Sequence, residues 1–165
     1  MRRIWAPWRL EYILNDKEEG CIFCEKSKES NDVENYILLR GKKCLVMLNA
    51  FPYNSGHLMI IPYRHVGFVE DLKEDETREM MKLLSLMTIL LKKVMSPDGF
   101  NVGMNLGDVA GAGIVGHVHL HIVPRWKGDC NFMPVLSHTK VIPEALRQTY
   151  QKMKESIDGN LGREK

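Results

Sequence analysis

The sequence lacks any long apolar run. Its longest, Leu83 to Leu91, spans nine residues and is interrupted by Ser85 and Thr88, far short of the roughly 20 that a membrane-spanning helix needs. It also lacks an excess of charge of one sign. Lys and Arg number 23 against 21 Asp and Glu, a net charge of +2, which argues against a polybasic nucleic-acid-binding or membrane-binding surface. An anionic ligand must then be held by a local site. Cysteine is sparse, 4 in 165 residues, and a chain of this length buries roughly 70% of its unfolded surface in one core without a disulfide scaffold. After Met1-Arg2-Arg3 the residues Ile4-Trp5-Ala6-Pro7-Trp8-Arg9 carry no apolar signal region, so a cytoplasmic chain with reduced or metal-bound thiols is expected. Internal repeats and low-complexity tracts are missing as well.

What remains is an ordinary globular composition with clear periodicities. Tyr36 to Leu39 and Lys43 to Asn49 are rich in strand formers and flank Arg40-Gly41-Lys42, a hairpin turn. The loop Phe51 to Gly56 leads into a third strand, His57 to Ile61, ended by Pro62. Met80, Leu83, Leu84, Met87, Leu90, Leu91 and Val94 keep helical spacing, with Glu74, Asp75 and Glu76 at the end where the helix dipole favours anions. Phe100 to Leu106 and His117 to Val123 complete five strands, and a last helix after Pro143 buries Leu146, Tyr150, Met153 and Ile157. The expectation is an α+β domain, a five-stranded, mainly antiparallel sheet with two helices.

His117, His119 and His121 alternate with Val118, Leu120 and Ile122, so a strand here puts all three imidazoles on one face. Three crowded imidazoles are a poor core and point to ligands or substrate charge. At ~3.3 Å per residue, His117 and His121 lie ~13 Å apart, too far to share one metal ion, so the three divide their roles. Cys21 and Cys24 form a C-x-x-C that follows a charged loop instead of opening a helix, which favours zinc over a redox pair. His65 and one end of the triad are available to complete a closed, structural site. Cys44 and Cys130 are plain small apolar residues. Met47 and Asn49 share a strand face, as do His57 and Met59; the two methionines suit either a plain core or base packing.

The segment Gly116-His117-Val118-His119-Leu120-His121-Ile122-Val123-Pro124-Arg125 resembles the signature of the histidine-triad nucleotide-binding family. Asn49 to His57 and Asn101 to Leu106 resemble further parts of the same family, and the stretches Trp5 to Arg9, Pro124 to Phe132 and Lys140 to Pro143 are similar to its bacterial branch that contains diadenosine tetraphosphate phosphorylases. The resemblance implies a single domain, with a zinc segment at 1–34, the family core at 35–126 and an extension with a helix at 127–165. It implies His119 as the nucleophile that forms a nucleotidyl-histidine, His121 and His57 as partners of phosphate oxygens, and one structural zinc per chain on Cys21, Cys24, His65 and His117. Asn49 matches the ribose contact, with Met47, Met59 and Trp126 beside the nucleotide and Asn105, Gly111, Ala112 and Gly113 in a phosphate loop. Where relatives carry Gln or Ser before the triad, this chain has Gly111-Ala112-Gly113-Ile114. An adenine dinucleotide substrate and a homodimer are further expectations, the dimer also from Leu86, Ile89 and Met95 lying off the main helix stripe. Hydrolysis of nucleoside phosphoramidates and a non-catalytic nucleotide-binding role stay open at this point.

Overall fold

The computed structural model describes residues 20–129 and 144–161. Trp5 to Arg9, Cys130 to Phe132 and Lys140 to Pro143 lie outside these. Among the described residues the elements run α1 (Ile22–Lys28), β1 (Ile37–Arg40), β2 (Cys44–Leu48), β3 (Leu58–Pro62), a 3-10 turn (Val69–Asp71), α2 (Glu74–Met95), β4 (Gly99–Gly103), β5 (Leu120–Arg125) and α3 (Leu146–Leu161). The strands form one sheet in the order β1-β2-β3-β5-β4, with every neighbouring pair antiparallel.

Period-two alternation gives this sheet two different faces. Val46, Leu48, Leu58, Ile60, Leu120 and Ile122 bury against α2 and α3, including Met80, Met87, Leu91, Tyr150, Met153 and Ile157. The stripes expected of both helices are thus the stripes that pack. Leu86 and Met95, expected on a second, partner-seeking stripe, instead pack at the margin of this core, and only Ile89 of the three is exposed. The other face carries Leu45, Met47, Met59 and Ile61, which cluster with Ile37 and Phe23. His119 and His121 also belong to it, since Met59 pairs with His121.

Two expectations need correction. Among the described residues there are three α-helices, not two, because the C-x-x-C opens one: Cys21 is the N-cap residue of α1 and Cys24 lies in it. A helix of seven residues is marginal in isolation. It forms here because Phe23 is buried against the sheet and because Arg40, from β1, donates to the Ser27 and Glu29 carbonyls at its C-terminal end, each at 2.6 Å. The fifth strand starts at Leu120 and not at His117. Its ladder with β3 stops there because the next backbone groups are diverted: the Val118 N–H donates to the Val66 carbonyl at 2.7 Å, and the Pro62 carbonyl accepts from the His117 ring.

Candidate functional site

At one end of the histidine face, two sulfurs and two ring nitrogens converge. Cys21 Sγ lies 3.2 Å and Cys24 Sγ 3.5 Å from His117 Nδ1, while Cys24 Sγ is 3.4 Å from His65 Nδ1. All four donor atoms lie within 4.8 Å of one another. Zinc bonds of about 2.0 to 2.3 Å in a tetrahedron require donors roughly 3.3 to 3.8 Å apart, so this set fits a zinc ion and brings together the four residues expected to bind one. The His117 Nε2 lies 2.8 Å from the Pro62 carbonyl. A carbonyl only accepts, so Nε2 carries the proton and Nδ1 turns its lone pair to the sulfurs, the outer-shell arrangement typical of a metal-binding histidine. Burial, then the neighbouring Cys21 sulfur, pushes the Cys24 thiol above its ordinary pKa, so a bound cation must displace that proton. His65 reaches the site from the turn after β3, which Arg64 pins by donating to both carboxylate oxygens of the buried Glu76 and to the Asp71 carbonyl.

The other end of the face is built from imidazoles alone. His119 Nδ1 donates to the His117 carbonyl at 2.9 Å, which leaves the His119 Nε2 lone pair free. His57 Nδ1 meets two groups that can only donate, the Tyr53 main-chain N–H at 3.1 Å and the Asn49 amide nitrogen at 3.4 Å. It is therefore unprotonated, and the neutral ring carries its hydrogen on Nε2, which donates to His121 Nδ1 at 2.9 Å. His121 then holds its own hydrogen on Nε2, a buried atom with no partner among the described residues. The rings of His119 and His121 meet edge to face at 4.6 Å. Neighbouring rings thus carry a free lone pair and an unclaimed N–H.

Neutrality is enforced by burial. His57 is pushed down to about 3, first by desolvation and then by His121 and His119; His121 is pushed down to about 4, first by desolvation and then by His119. Burial also lowers His119, against an opposing contribution from its bond to the His117 carbonyl.

Several expected residues are placed differently. His57, expected to contact phosphate directly, has both ring nitrogens occupied here, Nδ1 by the Tyr53 N–H and the Asn49 amide and Nε2 by His121. Trp126 donates from Nε1 to the Met95 carbonyl at 3.2 Å and lines a cleft of about 520 Å³ with Asn54, Met95, Gly128 and Lys152. These neighbours place it at the helix side of the sheet, because the turn after β5 folds back onto the end of α2. In the glycine loop, the Gly111 and Ala112 N–H groups donate to the Asp108 and Gly107 carbonyls and the Asn105 amide to the Gly111 carbonyl. These groups are thus spent within the loop itself; Gly111 and Gly113 are exposed, and Asn105 and Ala112 are half-buried. Met47 and Met59 are buried in an apolar cluster next to the histidines, and Asn49 stands at its edge, its Oδ1 accepting the Phe51 N–H.

Two residues of the site had no expectation attached. Phe23 packs its ring edge against His119 at 5.0 Å and His117 at 5.5 Å, joining the two ends; its place between the two cysteines was the available signal. Tyr53 lies 4.7 Å from His57 and 5.9 Å from His121, ring over ring, and only its position four residues before His57 hinted at this.

Comparison with known proteins agrees with this architecture. The family model described as HIT domain matches residues 30–128. An AP-4-A phosphorylase of Mycobacterium tuberculosis is 39% identical over 157 residues, covering 90% of this chain and 80% of the relative. An adenosine 5'-monophosphoramidase of Schizosaccharomyces pombe is 30% identical over 106 residues, 64% of this chain and 74% of its own length. Among solved structures, a zinc-bound histidine triad family protein from Mycobacterium smegmatis superimposes with a TM-score of 0.69 at 23% identity, covering 87% of this chain and 97% of the other.

Proposed function

The chain belongs to the HIT family, and we propose that it cleaves dinucleoside polyphosphates, diadenosine tetraphosphate first among them, through a nucleotidyl-histidine formed on His119. The observation that carries this reading is the tautomer of His119, whose Nδ1–H is held by the His117 carbonyl so that Nε2 is a permanent, neutral nucleophile. The 39% relative named AP-4-A phosphorylase supports the choice of substrate.

In the first step the His119 Nε2 lone pair attacks the α-phosphorus. An N–P bond forms as the P–O bond to the leaving nucleotide breaks, and ATP departs. The positive charge that develops on the ring is shared with the His117 carbonyl through Nδ1–H. His121 Nε2–H donates to an oxygen of the reacting phosphate, a preorganised donor in a buried site. His57 holds His121 in that tautomer. In the second step an acceptor oxygen attacks the same phosphorus and the electron pair returns to Nε2. Phosphate as acceptor gives ADP; water gives AMP. The cluster around Phe23, Met47 and Met59 offers the apolar wall for a base, with Asn49 at its edge for a sugar hydroxyl.

Cys21, Cys24, His65 and His117 would hold one zinc ion per chain, and a site closed by four protein ligands staples α1 to the turn after β3. A twofold dimer belongs to the same reading, supported by the free edge of β4, where Val102 is exposed, and by exposed Ile89 on α2; light scattering at micromolar concentration tests it, and a monomer contradicts it.

Product analysis tests the function. Diadenosine tetraphosphate with phosphate present should give ADP and ATP, and the same mixture without phosphate AMP and ATP or no turnover. A wild-type protein that cleaves no dinucleoside polyphosphate under either condition contradicts the proposal.

A further inference from the structure

We infer that Tyr53 is a positioning residue for the proposed nucleotidyl transfer: its main-chain N–H and its ring together hold the His57–His121 pair in the one tautomer that presents a hydrogen to the reacting phosphate.

The loop that carries Tyr53 is fixed at several points. The Phe51 N–H closes onto Asn49 Oδ1 at 2.9 Å, the His57 N–H donates to the Asn54 carbonyl at 3.2 Å, and the buried Asn54 amide donates to the Pro124 carbonyl and to Asp129, each at 2.9 Å. Gly56 completes the turn at φ +73, where a Cβ would come within 2.7 Å of Met95 Sδ. The backbone of Tyr53 is thus held against His57 by anchors on both sides. Its N–H reaches His57 Nδ1 at 3.1 Å and can only donate, and with the Asn49 amide at 3.4 Å on the same nitrogen it sets the direction of the chain that runs on to His121.

The side chain adds a second constraint. Its ring lies over His57 with planes 33° apart and over His121 with planes 31° apart. Tyr53 itself is 54% exposed, whereas His57 is fully buried and His121 is 8% exposed. The aromatic ring is therefore the layer between solvent and the two imidazoles on that side. Without it, water reaches the pair and offers both hydrogen-bonding senses, and the His121 hydrogen is no longer confined to Nε2. The ring, and not the hydroxyl, performs this task.

The inference rests on the nucleotidyl-transfer reading for its kinetic consequence but not for its structural one, so two readouts separate them. In 15N-histidine NMR of the folded protein without substrate, wild type and Tyr53→Phe should show His57 and His121 each as a single Nε2–H tautomer, and Tyr53→Ala, which keeps the main-chain N–H but lets water reach the pair, should show averaged signals. In turnover, Tyr53→Phe should stay within about twofold of wild type, and Tyr53→Ala should lose roughly ten- to a hundredfold in kcat with KM nearly unchanged, the scale of a misplaced reacting group. Unaltered ring signals in a folded Tyr53→Ala protein overturn the inference. So does a change confined to KM, which would make the ring a substrate platform, or a Tyr53→Phe loss as large as that of Tyr53→Ala. If His119→Asn retains turnover, the transfer reading falls, while the NMR result still decides the tautomer claim.

Discussion

The two ends of the histidine face use one residue type for opposite purposes. At the metal end His117 gives its Nε2 hydrogen to the Pro62 carbonyl and turns the Nδ1 lone pair on two sulfurs. Two residues further on, His119 gives its Nδ1 hydrogen to the His117 carbonyl and keeps the lone pair on Nε2. At the far end His121 receives a hydrogen bond on Nδ1 and keeps a hydrogen on Nε2. The proposed ligand, nucleophile and donor differ only in what the second nitrogen meets. On this reading, a fixed carbonyl or ring on that second nitrogen sets the role before any substrate arrives.

The comparison breaks most visibly at the nucleophile. His119→Asn should lower turnover by roughly 10⁴-fold or more, as loss of a covalent nucleophile does, while equilibrium dialysis shows nucleotide binding nearly intact. His121→Asn should cost about 10²- to 10³-fold, the scale of one lost transition-state donor, again read in kcat. His57→Gln should cost less than His121→Asn, because its contact with the reacting phosphate is indirect; equal losses would restore His57 as a direct phosphate partner. At the metal end the pattern should invert. Cys24→Ser should release zinc and lower the melting temperature, and the residual turnover of the protein still folded should exceed that of His119→Asn.

The smallest effect is a pH dependence. His57 and His121 are held at about 3 and about 4, below the ~6.5 of an unfolded histidine. The unfolded chain therefore binds more protons as pH falls, so stability is full above about 6.5 and is lost progressively towards about 3. Denaturation of wild type and His57→Gln across that interval should show the wild type losing more. Parallel curves would mean that His57 is not kept neutral by the fold.

The faces of the sheet were legible in the sequence because alternation is a property of residue order. Met47, Met59, His119 and His121 fell on the expected face, and the stripes of α2 and α3 packed as their spacing required. The convergence of Cys21, Cys24, His65 and His117 followed the family resemblance. What the sequence hid is carried by backbone groups and by contacts distant in the chain. The carbonyls of Pro62 and His117 have no sequence signature, yet they choose the tautomers. Helix α1 depends on Arg40 from β1, and the fate of Trp126 on the end of α2. The glycine loop looked ready to receive an anion, but composition could not tell that Gly111 and Ala112 spend their N–H groups on the loop itself.

The most direct measurement is 15N NMR of histidine-labelled, zinc-loaded wild-type protein at neutral pH, assigned ring by ring. The account predicts neutral rings with the hydrogen on Nε2 in His57, His117 and His121 and on Nδ1 in His119. A His119 ring carrying its hydrogen on Nε2, or a charged His119, would contradict it, since the nitrogen assigned to attack phosphorus would then hold no lone pair.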